Sequence, residues 1–271
     1  MQSRRKIVIK IKRNEHRVIL EALRLMDHEF LVANGCWFGG GTAIVLKLGE
    51  YRQSLDVDFL CSSVDGYRAL RSAAVERGVR GFFPEPVETV RGFKSDQYGL
   101  RTALGLHGQI IKFEIIREAR IQLRGHMDEQ LGLPTLVVQD LFAEKLLANA
   151  DRCHDRSVAY RDAIDLGMLV IGFGNIPDEA IANGLNAYGE DVPRKLAWAA
   201  YKLHGVDELR HASDVLQMER NDTVRAVKAI TAEVKRIWPQ EMRSLIGTMK
   251  GAVRISEDFD DLGPEWDQYI E

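Results

Sequence analysis

Cysteine is scarce in this chain. Cys36, Cys61 and Cys153 are the only three, with no CxxC spacing and no even-numbered set. That argues against a disulfide framework and against a zinc site, and it fits a reducing, cytoplasmic compartment. The seven histidines include no HxH or HxxxH pair, so the ligand spacing of a zinc hydrolase is missing too. No apolar run is long enough to span a bilayer, and no membrane partner is expected. The Ile7-Val8-Ile9 patch in the basic start is too short for a signal peptide. Neither GxGxxG nor a GK[ST] P-loop occurs, no Ser-His-Asp arrangement stands out, and there is no internal repeat or low-complexity linker.

What is present is an ordinary globular balance. The 271 residues are 45% apolar and 28% charged with a net charge of -3, enough for one large domain or two moderate ones. The charge is unevenly placed. The first 17 residues hold seven Lys/Arg and one Glu, whereas Ile255 to Glu271 holds seven acids and no base. Such ends are usually solvated, and a basic one can face phosphates.

The first half mixes strand and helix signals. Helical spacing runs over Arg13 to Met26, Thr42 to Leu48 and Asp65 to Arg77. Strands are expected over Leu31 to Phe38, Leu55 to Leu60, Tyr98 to Leu106 and Ile110 to Arg117, the last two joined by a hairpin at His107-Gly108-Gln109. Cys36, Trp37, Phe38, Phe82 and Phe83 read as core. After Pro134 nearly everything has helical period: Asp140 to Ala150, Val158 to Val170, Asp178 to Tyr188, Pro193 to Leu203, Val206 to Gln217, Asp222 to Trp238 and Glu241 to Lys250. The expectation is an α+β chain, with a mixed-sheet domain over residues 1–133, a helical domain over residues 134–271, and a cleft between them.

Chemistry gathers in two places. In Leu55-Asp56-Val57-Asp58-Phe59-Leu60, period two puts Asp56 and Asp58 on one face and Val57 and Phe59 on the other. Adjacent carboxylates repel unless a cation sits between them, and oxygen donors of this kind suit Mg2+ or Mn2+. Glu114, flanked by Phe113 and Ile115, is a third acid if its strand neighbours the first; three carboxylates can hold two metals for phosphoryl transfer. On its own a DxD strand reads as a solvated sheet face, and Glu114 as the partner of Lys112 or Arg117. The second place is Phe38-Gly39-Gly40-Gly41-Thr42-Ala43, where a strand ends and a helix begins. Glycine lets backbone N–H groups approach an anion, and the helix start favours it. The DxD follows fourteen residues later, which sets a phosphate cradle beside a metal site.

Gly40-Gly41-Thr42-Ala43, then Arg52, Ser54, Asp56, Asp58 and Phe59, resembles the "GGTA … RxSxDxDF" signature of the AbiEii/AbiGii nucleotidyltransferase toxin family, within the DNA polymerase β-like nucleotidyltransferase superfamily. Asp140-Leu141-Phe142-Ala143-Glu144-Lys145-Leu146-Leu147 resembles the family's "LxAEKLxA" helix, and Arg161-Asp162-Ala163-Ile164-Asp165-Leu166 its "RDxxDL" helix. The likeness covers Val32 to Leu169. It departs at Gly39, an extra glycine before the usual pair, and at Glu114, where the superfamily more often has Asp.

The resemblance implies a metal-dependent enzyme that transfers NMP from an NTP to an acceptor hydroxyl. RNA, and the tRNA 3′ end in particular, is the implied acceptor, and the chain would be the toxin paired with a cognate antitoxin protein. Asp56, Asp58 and Glu114 are the expected metal ligands and, with Lys145, the catalytic set. Gly40, Gly41, Thr42, Arg52, Ser54, Lys145 and Asp162 are the expected nucleotide contacts. Asp162 is placed to orient Lys145 or touch the nucleotide. Arg161 and Asp165, at i,i+4, read as an intrahelical ion pair, and Lys145 without the motif reads as a snorkelling surface lysine. Two alternatives remain: nucleotidylation of a protein or of a small molecule such as an antibiotic, and a catalytically degenerate binding module. A basic groove leading to Glu114 favours RNA, whereas a small closed pocket favours an antibiotic.

Overall fold

The structure is a computed structural model that describes residues 11–242. The acidic end at Ile255 to Glu271, most of the basic start and most of the helix expected over Glu241 to Lys250 lie outside the described residues.

The chain opens with α1 (Asn14–Arg24) and α2 (His28–Ala33), then β1 (Cys36–Gly39), α3 (Gly40–Lys47), β2 (Asp56–Cys61) and α4 (Val64–Arg77). The segment expected to be one strand from Leu31 to Phe38 thus divides: Leu31 to Ala33 end α2, and only Cys36 to Phe38 are strand. Asp27 caps α2, its Oδ1 accepting from the Phe30 N–H at 2.9 Å, and strand geometry begins only after Asn34-Gly35. Next come β3 (Glu88–Ser95), β4 (Gly99–Leu106) and β5 (Gln109–Arg117). β4 and β5 form the expected hairpin, with His107 and Gly108 both at positive φ, as a two-residue turn of the right twist requires. Two short strands follow, β6 (Gly125–Asp128) and β7 (Leu133–Leu136). The rest is helical: α5 (Val138–Arg152), α6 (Arg161–Phe173), α7 (Asp178–Tyr188), α8 (Asp191–Lys202), α9 (Val206–Leu216) and α10 (Arg220–Ile237). β7 belongs to the sheet, so the unbroken helical run starts at Val138 rather than at Pro134.

The seven strands form one mixed sheet in the order β3-β4-β5-β2-β1-β7-β6. β2 runs parallel to β5 and antiparallel to β1. One sheet face is dry. Val57 and Phe59 of β2, Ile111, Phe113 and Ile115 of β5, and Leu100 and Leu104 of β4 pack there with α1 and α4. Phe38, Phe59, Phe82, Phe83, Phe93 and Phe113 form a connected set of rings with centroids 5.1–6.5 Å apart, so Phe82 and Phe83 are core. Cys36 is fully buried, whereas Trp37 is only half-buried. A second core joins Ile44, Leu60 and Leu136 to the apolar faces of α5 to α10. The helices therefore pack on part of the opposite sheet face, and the remainder of that face is left open.

Candidate active site

Alternation along the strands decides what the open face presents. β2 contributes Asp56, Asp58 and Leu60; β5 contributes Lys112, Glu114 and Ile116; β4 contributes Arg101 and Ala103. Register puts Asp58 beside Glu114 on one side and Gly39 on the other, and Asp56 beside Lys112. These residues floor a cleft of about 730 Å³. Gly40, Gly41 and Ser54 form one rim. Glu144, Lys145, Ala148, Asp151 and Arg152 of α5 and Arg161 of α6 form another.

The glycine loop is shaped by its neighbours. Gly40 has φ +65, and a Cβ there would lie 2.5 Å from Asp58 Oδ2, so both backbone and space call for glycine. A Cβ on Gly41 would run into the Arg52 guanidinium. The next residue departs from expectation. Thr42 is buried; its hydroxyl donates to the Asp56 carbonyl and lies 2.9 Å from Ser54 Oγ. Its oxygen is thus committed to holding the start of β2 against α3, not to a phosphate.

Asp58 is the most perturbed acid of the floor. Burial first, then the charges of Asp56 and Glu114, push its carboxyl up to about 6, with Lys145 and Arg161 pulling the other way. Asp56 is exposed, and Lys112 Nζ lies 3.9 Å from its Oδ1. Glu114 is drawn aside: its Oε1 pairs with Arg101 Nε at 2.5 Å, and Arg101 also holds Asp96 at 2.9 Å. Among the described residues no group of three or more His, Cys, Asp or Glu is gathered tightly enough to hold a metal. Glu114 is nonetheless the cross-strand neighbour of Asp58, its charge reaches Asp58, and its Oε1 is held by Arg101. Asp56 and Asp58 by themselves fit a hard divalent ion. They are adjacent oxygen donors on one face, and the repulsion raising Asp58 is what a cation relieves. Glu114, beside Asp58 in the sheet, is the further oxygen donor, with Arg101 on its Oε1.

Lys145 is not a surface lysine. It is 4% exposed, with Nζ 2.8 Å from Asp162 Oδ1 and 2.7 Å from Asp165 Oδ2. Asp162 also accepts from Arg152 Nε at 2.7 Å, and its contact is with Lys145 and Arg152 within the protein. Burial alone would raise both aspartates; Lys145 with Arg152, and Arg52 with Lys145, hold them below the usual carboxylate range. The expected Arg161–Asp165 pair does not form. Asp165 instead takes Arg52 in a two-pronged bond, Nε to Oδ1 at 2.7 Å and Nη2 to Oδ2 at 2.8 Å, plus the Tyr51 hydroxyl at 2.6 Å. Arg52, expected as a nucleotide contact, is buried and engaged with Asp165 and the Gln53 carbonyl, so it positions the loop before β2.

Arg161 is thereby released. It lines the cleft close enough to lower Asp58's carboxyl pKa, with no ion-pair partner among the described residues. Sequence reading also missed Arg101, Arg152 and Glu144. Glu144 Oε1 is buried without a partner, and burial followed by Glu118 raises its carboxyl well up, beside Arg120 at the inner end of the cleft. Helical spacing signals which positions of α5 share a face, but not that this face meets the acids of the sheet. His16 is likewise hidden from sequence. It is fully buried, with Nδ1 2.8 Å from Glu50 Oε1 and Nε2 accepting from the Ser54 N–H at 3.2 Å, so it props the segment leading into β2.

A family model described as "Nucleotidyl transferase AbiEii toxin, Type IV TA system" matches residues 24–271. No curated protein is similar to the chain. Among solved structures, a "putative nucleotidyltransferase from H. pylori" aligns with a TM-score of 0.50 at 16% identity, over 85% of this chain and 96% of that one. JHP933 from Helicobacter pylori aligns at 0.45 with 16% identity, over 89% and 100%. An "antigenic nucleotidyltransferase-like protein from Paracoccidioides brasiliensis" aligns at 0.44 with 17% identity, over 77% and 95%. At such identity the likeness bears on the fold, which is α+β and nucleotidyltransferase-like.

Proposed function

Since the chain belongs to the AbiEii nucleotidyltransferase toxin family, we propose that it transfers NMP from an NTP to a hydroxyl of an RNA acceptor, the 3′ end of a tRNA, in the cytoplasm, the α–β phosphoanhydride breaking to release pyrophosphate. It would act as the toxin of a pair whose antitoxin is a separate protein. The observation that carries this reading is the pair Asp56 and Asp58 on one face of β2, beside a glycine loop whose Gly40 leaves room only for Asp58. We read the sheet-bearing part, which runs past the expected boundary at residue 133 to the end of β7 at Leu136, as the catalytic unit, and the helices from Val138 onward as the unit that completes the cleft.

Asp56 and Asp58 would hold Mg2+ or Mn2+, with Glu114 as the third ligand. A bound divalent ion stabilises charge on the phosphoryl oxygens during transfer. The chain's own groups do the rest. Gly40 and Gly41 let the loop backbone approach the triphosphate. Arg161 and Lys145 bring positive charge from the helices; two of the three Lys145 donors go to Asp162 and Asp165, which leaves one for a ligand. Glu114 accepts the proton of the acceptor hydroxyl. An open cleft with cations on its sheet side supports a polymeric acceptor over an antibiotic in a closed pocket. The test is incubation with each radiolabelled NTP, magnesium and total tRNA, with Asp58→Ala as control. Label in the tRNA that depends on Asp58 supports the proposal. Its absence with every NTP, or equal labelling by Asp58→Ala, overturns it.

A further inference from the structure

The cleft is longer than a nucleotide site needs. Beyond the acids its floor continues outward over β5, β4 and the edge strand β3, where no helix among the described residues covers it. Four cations stand on that stretch. Cross-strand register aligns Lys94 with Arg101 and Glu114 in one row, and Arg91 with Ala103 and Lys112 in the next. Each row ends on an acid of β2, the first on Asp58 and the second on Asp56. Strand spacing puts neighbouring members of a row roughly 5 Å apart and members two strands apart roughly 10 Å apart. Beside the cations the floor is small or apolar: Ala103 sits within the second row, and the exposed Ile110 lies one step beyond Lys112. The inner cations have local partners: Arg101 holds Asp96 and Glu114, and Lys112 faces Asp56. The outer two do not. Arg91 and Lys94 are exposed, and among the described residues neither side chain makes an ion pair.

We propose that this face of β3, β4 and β5 is the track for the phosphodiester backbone of a single-stranded nucleic acid, whose terminal hydroxyl reaches Asp58 and Glu114. The proposal rests on the reading of that acid pair as the transfer site, and it assigns the acceptor's path. Two rows of cations converging on the acids match a polyanion that must bring one end to a metal site. One triphosphate at the glycine loop does not require charge as far out as the edge strand. The small and apolar surface at Ala103 and Ile110, along the second row, suits the faces of unpaired bases, which stack without sequence preference. Arg91 and Lys94 bind backbone in this scheme and take no part in the chemistry.

The experiment uses fluorescence anisotropy of a labelled single-stranded RNA of mixed sequence, with EDTA and without NTP, titrated over a range of salt. The test variant is Arg91→Glu/Lys94→Glu. A control, Arg68→Glu/Arg225→Glu, makes the same charge change on α4 and α10, where both arginines are exposed. The test variant should lose affinity on the order of tenfold, and its salt slope should fall by about 0.7 for each phosphate contact removed. The control should bind RNA like the parent, and calorimetric NTP affinity should be the same in all three. Parental RNA affinity and slope in the test variant overturn the proposal. So does an equal loss in the control, a loss of NTP affinity in step with RNA, or a parent that does not bind RNA. Failure of the transfer-site reading looks different: Asp58→Ala would then label RNA like the parent, whatever the strip variants do.

Discussion

Replacing Asp58 by Asn should make the free protein more stable while abolishing transfer. The ordinary carboxyl value is 3.8, and burial with the charges of Asp56 and Glu114 pushes Asp58 up to about 6. A folded-state value above the unfolded one means that ionised Asp58 opposes folding. The gap corresponds to about 3 kcal/mol when the group is fully ionised. The folded state binds the extra proton between pH 3.8 and about 6, so stability falls as pH rises through that window and stays low above it. Asn keeps the shape and removes the charge. At about pH 8 the variant should gain up to about 3 kcal/mol, which for a protein of this size is a melting temperature roughly 6–12 °C higher. Near pH 4 the parent's Asp58 is mostly protonated and the gain should shrink toward zero. Thermal melts of both proteins at the two pH values measure this, and a second series adds NTP with magnesium. Ligand should raise the parent's melting temperature and leave the variant's nearly unchanged. Equal melting temperatures at pH 8, or a gain that ignores pH, would falsify the view that Asp58 is a charge held in place for function at the expense of stability.

Three further outcomes follow from the same geometry. Lys145→Ala leaves Asp162 and Asp165 buried with one cation fewer, so it should cost about 3–5 kcal/mol as well as transfer; denaturant melts showing a parental midpoint would contradict the buried network. Tyr51→Phe removes one bond to Asp165 but keeps Arg52 and Lys145 there, so circular-dichroism melts should show a loss of about 1–2 kcal/mol with transfer still measurable. Gly41→Val would drive its side chain into Arg52 and toward Ser54, so calorimetry should show weakened NTP binding and the melt should fall with it. Normal affinity in a folded Gly41→Val protein would reduce the loop to a turn.

The floor of the cleft was legible because alternation is a strict rule. Once Val57 and Phe59 enter the Phe38–Phe113 core, Asp56 and Asp58 must face the other way, and the same holds for Glu114 between Phe113 and Ile115. The hairpin at His107-Gly108 and the helix Asp178–Tyr188 were legible from local signals alone. β3 was not, since an exposed edge strand of sequence ETVRGFKS sets only Phe93 against the core and so carries no alternating pattern. β6 and β7 are four residues each, and Pro134 argues against a strand anywhere but at an edge or a strand start. The ion pairs were the least legible. Spacing offers Arg161 to Asp165 through i,i+4, but a helix surface cannot announce that Arg52, far away in sequence, will take Asp165 first.

That competition explains why the motifs occur together. Arg52 comes from the segment before β2, Lys145 from α5, and Asp162 and Asp165 from α6, yet all four meet in one buried network with Arg152 and Tyr51. Burying so many charges is a poor way to gain stability, since apolar residues of similar volume commonly do as well. A network of this kind fixes directions instead. It locks α5 and α6 to the loop that feeds β2, it turns the remaining Lys145 donor toward the cleft, and by occupying Asp165 it leaves the Arg161 guanidinium near Asp58 with no ion-pair partner among the described residues. The free cation at the cleft wall is thus a product of the buried pairs behind it. Arg52→Ala would leave Asp165 with Lys145 and Tyr51 but without its guanidinium, so Arg161, four residues back on the same helix, could turn to the vacated side of that carboxylate and withdraw charge from the cleft without any change to a residue on its floor.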